Sequence, residues 1–175
     1  LTQHSAGLDK LYQRNLFSRK RHVEEKVRRI IEDIRLNGDD AVLKYTRRFD
    51  KASLKARKLR VAENQISEAY QNITPEFISH LKTIINNVTL FYKKQIQKPC
   101  RVRDGEGVLL KENILPLDTV GIYIPAGTAP LVSTVYMTAI PAIVAGVKRI
   151  VIVTPQDQNG HVNPYILAVA NLLKV

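Results

Sequence analysis

The chain has 175 residues, enough for one good core or two small lobes, and its 45% hydrophobic and 25% charged residues are ordinary for a globular protein. Its net charge of +11 is uneven: residues 1–118 hold 24 Lys and Arg against 15 Asp and Glu, and residues 119–175 hold 3 against 1. No apolar run is long and unbroken enough to span a membrane, since Pro141, Lys148 and Arg149 interrupt the best stretch, Ala139–Val153.

The chain begins with Leu1, not Met, and its first residues are polar with no apolar run of the signal-peptide kind. Residues 1–21 show little periodicity and read as an arm, flexible or swapped onto a partner. Val23, Val27, Ile30, Ile31 and Ile34 then recur at helical spacing among charged residues. Asn37-Gly38 is expected to end that helix with a left-handed cap, and Asp39 or Asp40 to cap a second helix running to about Phe49. Lys51–Arg60 reads as a basic loop, and Leu59-Arg60-Val61 as a short strand.

Ile66, Ala69, Tyr70 and Ile73 form another helical stripe. Thr74-Pro75-Glu76 is a strong helix start: a capping hydroxyl, a proline at the first helical position and an acid near the positive end of the dipole. Phe77, Leu81, Ile84, Ile85, Val88 and Phe91 continue that helix, and Pro99 closes the segment. Cys100 is the only cysteine, which excludes an internal disulfide and a cysteine zinc cluster and favours a reducing, cytoplasmic home. A structural thiol explains it, because no histidine partner is evident to activate it.

From Cys100 to Val120 the pattern changes, with Val102, Val108, Leu110 and Ile114 spaced around the turn Asp104-Gly105-Glu106-Gly107. That reads as a small β-meander. A strand at Val120–Ile124, a loop at Pro125–Pro130, a helix from about Val132 to Ala145 and a strand at Arg149–Thr154 follow. Asn163-Pro164 opens a last helix after the loop Pro155–Gly160. Parallel strands need such a crossover, so a covered α/β sheet is expected. The last helix has no stop signal, and both ends of the chain look cut.

Chemistry has few places to reside. The loop after Val120–Ile124 presents backbone N–H groups beside a helix start, where an anion or a cofactor can sit. It carries Gly127 but no GxGxxG, so turn geometry alone also accounts for it. Tyr123 lies at the carboxyl end of its strand, the edge where open α/β sheets bind ligands. A core tyrosine with its hydroxyl at the surface is the other reading. The histidines His4, His22, His80 and His161 show no metal-binding spacing and are explained as surface residues. The basic runs read mostly as solvated faces.

Several separated blocks resemble histidinol dehydrogenase, in that family's order. They are Val27-Arg28, Gly38-Asp39-Asp40-Ala41 and Tyr45–Asp50; then Ile85 and Phe91–Gln95; then, most specifically, Pro116–Gly127. The resemblance continues through Ala129-Pro130-Leu131, Ser133–Val135, Ala139–Ala142 and Val144–Val147 to Thr154-Pro155. Two positions depart from the family pattern: Ala126 stands where PGG is usual, and Tyr92 where a histidine is usual.

The resemblance implies an α/β fold in which the start of a Rossmann-like parallel domain, residues 119–175, follows a helical and β-meander portion, residues 22–118. It implies a cytoplasmic homodimer that uses NAD and zinc to oxidise L-histidinol to L-histidine in two steps at one site, in histidine biosynthesis. Zinc would orient the substrate and a Glu/His pair would move protons, all from segments downstream of Val175. Only Tyr123 matches a family contact to NAD, and no catalytic or metal residue is expected in this chain, which alone is expected to be inactive. Two other readings are an interaction fragment whose basic arm wraps a partner, and a basic nucleic-acid-binding protein. Membrane binding and sequence-specific nucleic-acid binding are not expected.

Overall fold

The computed structural model describes residues 20–126, 130–157 and 159–175. Most of the expected arm, and the centre of the loop after the first parallel strand, lie outside these residues.

Helix α1 spans Lys20–Phe49 and is broken at Gly38, whose φ of 53° and ψ of −131° suit glycine alone. The Asp33 carboxylate accepts hydrogen bonds from Asn37 Nδ2 (2.7 Å), Lys44 Nζ (2.8 Å) and Tyr45 Oη (2.8 Å). In a straight helix Asp33 and Tyr45 would stand about 18 Å apart along the axis. The chain therefore turns back at Gly38, and Asp33 clasps the two arms. The glycine was legible as a helix end, but its ψ is not that of a left-handed helical cap.

A 3-10 turn, Ala56–Lys58, follows, with a bend at Leu59 and Arg60. The strand expected at Leu59–Val61 is not formed: three residues without a pairing partner have no ladder to join. Helix α2, Glu63–Gln71, starts where Gln65 Oε1 accepts from the Ala62 N–H at 3.0 Å. Helix α3, Pro75–Lys94, is capped by Thr74, whose Oγ1 accepts from Phe77 N at 3.3 Å. It closes at Gln95, before Pro99.

The expected meander is realised as a two-stranded antiparallel hairpin, β1 (Arg101–Arg103) with β2 (Leu109–Lys111), in register Val102 to Leu110. Asp104 holds its turn by accepting from the N–H groups of Glu106 (3.0 Å) and Val108 (2.8 Å). Both strands are exposed, so the hairpin adds nothing to the core.

The α/β unit forms as the sequence implies. Strand β3 (Thr119–Tyr123) pairs in parallel with β4 (Arg149–Val153), Val120 opposite Ile150 and Tyr123 opposite Val153. Helix α4 (Val132–Ala145) makes the crossover, and α5 (Pro164–Leu173) follows, capped by Asn163 Oδ1 accepting from Tyr165 N at 3.0 Å. Side chains alternate along a strand, so Ile122 and Ile124 share one face. They pack with Val135 and Ala139 of α4, Ile166 and Val169 of α5 and Leu81 of α3 into one core.

Leu81 ties the helical portion to the sheet. Phe77 adds an edge-to-face contact with Tyr165 at 4.9 Å, and Tyr70 Oη donates to the Ala168 carbonyl at 3.4 Å. Among the described residues only one sheet face is covered. Tyr123, Val151 and Val153, on the other, are exposed. The expected covered sheet is thus one-sided here, because both helices lie on the Ile122–Ile124 side.

Candidate functional site

The alternation that buries Ile124 turns its neighbour Tyr123 to the open face, where it is 65% exposed. Within this chain the core reading of Tyr123 does not hold. Its strand position is fixed nonetheless: the ladder to β4 continues past it through the Ile124 N–H, which donates to the Val153 carbonyl at 2.8 Å.

Tyr123 lines an open cavity of about 550 Å³ at the carboxyl ends of β3 and β4. Ala126 and Pro155 form apolar wall on the two strand-end loops. Gln156, Asp157 and His161 come from the loop after β4, and Val162, Asn163 and Pro164 from the entry to α5. Asp50, at the end of α1, closes it from the helical portion. The cavity therefore lies at the strand edge where ligands of parallel sheets bind.

The loop after β4 is tightly built. Asp157 Oδ1 accepts from the N–H groups of Asn159 (2.9 Å) and His161 (2.8 Å), and Asp157 N donates to the His161 carbonyl at 2.9 Å. His161 Nδ1 lies 3.8 Å from Asp157 Oδ1, both largely exposed. Two polar atoms in this region are buried without a partner among the described residues: Thr154 Oγ1 and Gln156 Nε2. An exposed aromatic ring beside an apolar wall can take the flat or apolar part of a small ligand.

Sequence reasoning placed Tyr123 at this edge but missed Asp50, Gln156, Asp157 and His161. The rule that flagged the loop after β3 applies equally to the loop after β4, so three of these were within reach. Nothing in the sequence brings Asp50 there. Cys100 is exposed and lines no part of the cavity.

Among the described residues no three His, Cys, Asp or Glu side chains come together as a metal group. No helix of the described residues is long and apolar enough to cross a membrane.

The histidinol dehydrogenase family model matches residues 13–175. Histidinol dehydrogenase of Symbiobacterium thermophilum is 38% identical over 148 residues, covering 85% of this chain and 34% of that protein. The Thermotoga maritima enzyme is 40% identical over 151 residues, covering 86% of this chain and 35% of its own length. The crystal structure of histidinol dehydrogenase from Elizabethkingia anophelis superposes with a TM-score of 0.82 at 37% identity, over 87% of this chain and 35% of that one. The chain spans about a third of the length of these relatives. With its parallel α/β unit and its match along nearly the whole sequence, the chain belongs to the histidinol dehydrogenase family.

Proposed function

We propose that this chain supplies the cofactor-facing part of an NAD-dependent histidinol dehydrogenase, which oxidises L-histidinol to L-histidine in two steps in histidine biosynthesis. The observation that carries this reading is the exposed Tyr123 ring in a cavity at the carboxyl edge of the parallel pair, in a chain of this family. When bound, NAD accepts a hydride in each oxidation.

The work of this chain's residues is to receive and orient the dinucleotide. Tyr123 offers its ring for packing and its hydroxyl for a hydrogen bond. Ala126 and Pro155 keep part of the wall dry, and the core under Ile122 and Ile124 holds the strand end still. Zinc, the proton-transferring residues and the second subunit of a homodimer belong to parts of the enzyme outside the described residues. On this reading the 175-residue chain alone produces no NADH from L-histidinol, with or without added zinc.

The test is NAD titration of the full-length protein and its Tyr123→Ala and Tyr123→Phe variants, each with a thermal unfolding curve. Tyr123→Ala is expected to weaken binding by about 1–3 kcal/mol, the cost of a lost aromatic contact or hydrogen bond. Tyr123→Phe separates the two: a small effect means stacking, a large one the hydroxyl. Unchanged affinity in a folded Tyr123→Ala variant overturns the role given to this residue.

A further inference from the structure

The cavity wall is built against anions, in a chain that is otherwise strongly basic. The chain carries 27 Lys and Arg against 16 Asp and Glu. Among the described residues no Lys or Arg lines the cavity, whereas Asp50 and Asp157 do. Residues 127–129 and 158, next to the lining loops in the chain, are Gly, Thr, Ala and Gln, and bring no side-chain charge. The backbone donors that hold a phosphate at a helix start are spent at α5. Pro164 has no N–H, Tyr165 N donates to Asn163 Oδ1 at 3.0 Å, and Ile166 N (3.1 Å) and Leu167 N (3.2 Å) donate to the Asn163 carbonyl. In the loop after β4 the N–H groups of Asn159 and His161 go to Asp157 Oδ1, and that of Gly160 to the Asp157 carbonyl at 3.0 Å.

We infer that Asp50 is a cofactor-selecting residue, whose carboxylate keeps phosphate out of the cavity, so that the adenosine ribose of NAD enters with its hydroxyls free and the 2′-phosphorylated dinucleotide is refused. This rests on the NAD reading of the cavity. On that reading the zinc and the proton-moving residues lie outside the described residues, so the nicotinamide end of NAD points toward them and the adenosine end stays here. A 2′-phosphate adds nearly two negative charges, with no cation in this wall to offset them. Repulsion between like charges a few ångströms apart at a partly solvated wall amounts to about 5-fold or more in affinity. Asp157 is bound up in its own turn. Asp50 arrives from the end of α1, and is the carboxylate that can be exchanged without rebuilding the wall.

The experiment takes the full-length protein, with NAD and its 2′-phosphorylated form as probes. Both Kd values are measured over a salt series for the unsubstituted protein, Asp50→Asn and Tyr123→Ala. Asp50→Asn keeps the size of the side chain and removes its charge. A residue kept only for structure changes both affinities together. A charge filter changes their ratio, and that ratio responds to salt.

Expected for the unsubstituted protein at low salt is a Kd about 5-fold or more higher for the 2′-phosphorylated form, a gap that narrows as salt rises. Asp50→Asn should leave the Kd for NAD nearly unchanged and close most of the gap. Tyr123→Ala should weaken both forms alike, because an uncharged ring does not discriminate a phosphate. If Asp50→Asn does not fold, the salt dependence of the gap in the unsubstituted protein carries the test. Equal affinity for the two forms in the unsubstituted protein, a gap indifferent to salt, or a folded Asp50→Asn that keeps the gap overturns the inference and leaves the NAD reading standing. No NAD binding by the unsubstituted protein overturns the reading of the cavity itself, and this inference with it.

Discussion

Gly160 joins the cavity loop to the helical portion, and its replacement tests how that junction is held. Its φ is +81°, and a Cβ built there would lie 2.9 Å from Leu54 Cδ2. Two costs follow for Gly160→Ala. Holding an L-residue at positive φ costs about 1–2 kcal/mol. The contact is with the far end of a leucine, which swings aside for about 1 kcal/mol or less. Against these, the unfolded chain loses freedom when glycine becomes alanine, which returns about 0.4–1 kcal/mol. The net expectation is a loss of about 1–2 kcal/mol, read as a lower denaturation midpoint in urea at unchanged slope. Gly160→Asn separates the causes. It adds the same Cβ and more bulk, but asparagine tolerates positive φ better than alanine does. If backbone strain governs, Asn costs less than Ala. An Asn variant as unstable as the Ala variant, or more so, refutes that reasoning and makes Leu54 the obstacle.

Further outcomes are expected elsewhere. Hydrogen bonds from Lys44 first, then Asn37 and Tyr45, lower the Asp33 carboxyl from 3.8 to about 2; its stabilisation is complete above about pH 3.8 and lost as pH falls through about 2. The stability gap between the natural chain and Asp33→Asn should therefore close over that acid range, and a gap that stays constant down to pH 2 would remove the clasp from the account. Leu81→Ala should cost about 2–5 kcal/mol as a core truncation, measured by denaturant unfolding; a loss under 1 kcal/mol would mean that α3 is not anchored through this residue. The basic excess of residues 1–118 should give binding to two unrelated DNA duplexes that is equal for both and falls steeply with salt, whereas a salt-resistant preference for one duplex would show a specific site.

How much of this was legible depends on whether the signal is local. The bounds of α4 and β4 could be read because apolar runs are cut by Gly146 and Pro155, and the start of α3 because Thr74 and Pro75 act within one turn. The stripe on α3 was read correctly as a stripe, yet Leu81 is buried while Phe91 is 61% exposed. Periodicity reports that a helix has an apolar face, and is silent on what covers it. The clasp at Asp33 was not legible, because its partners are set by the sharp turn at Gly38. At the site, Tyr123 was found by its place on the strand. Asp50 was not, because nothing local in the sequence brings the end of α1 to the cavity.

The parallel pair has a consequence for how the chain behaves in solution. Among the described residues β3 and β4 each have one neighbour, so each offers an outer edge of backbone N–H and C=O groups beside an apolar face. Such edges template pairing between copies. The charge of +11 holds copies apart at low ionic strength, and that repulsion is screened beyond about 10 Å in 0.1 M salt. Colloidal stability and polyanion binding therefore respond to salt in opposite ways: the salt that releases a polyanion from the basic surface brings the bare strand edges together.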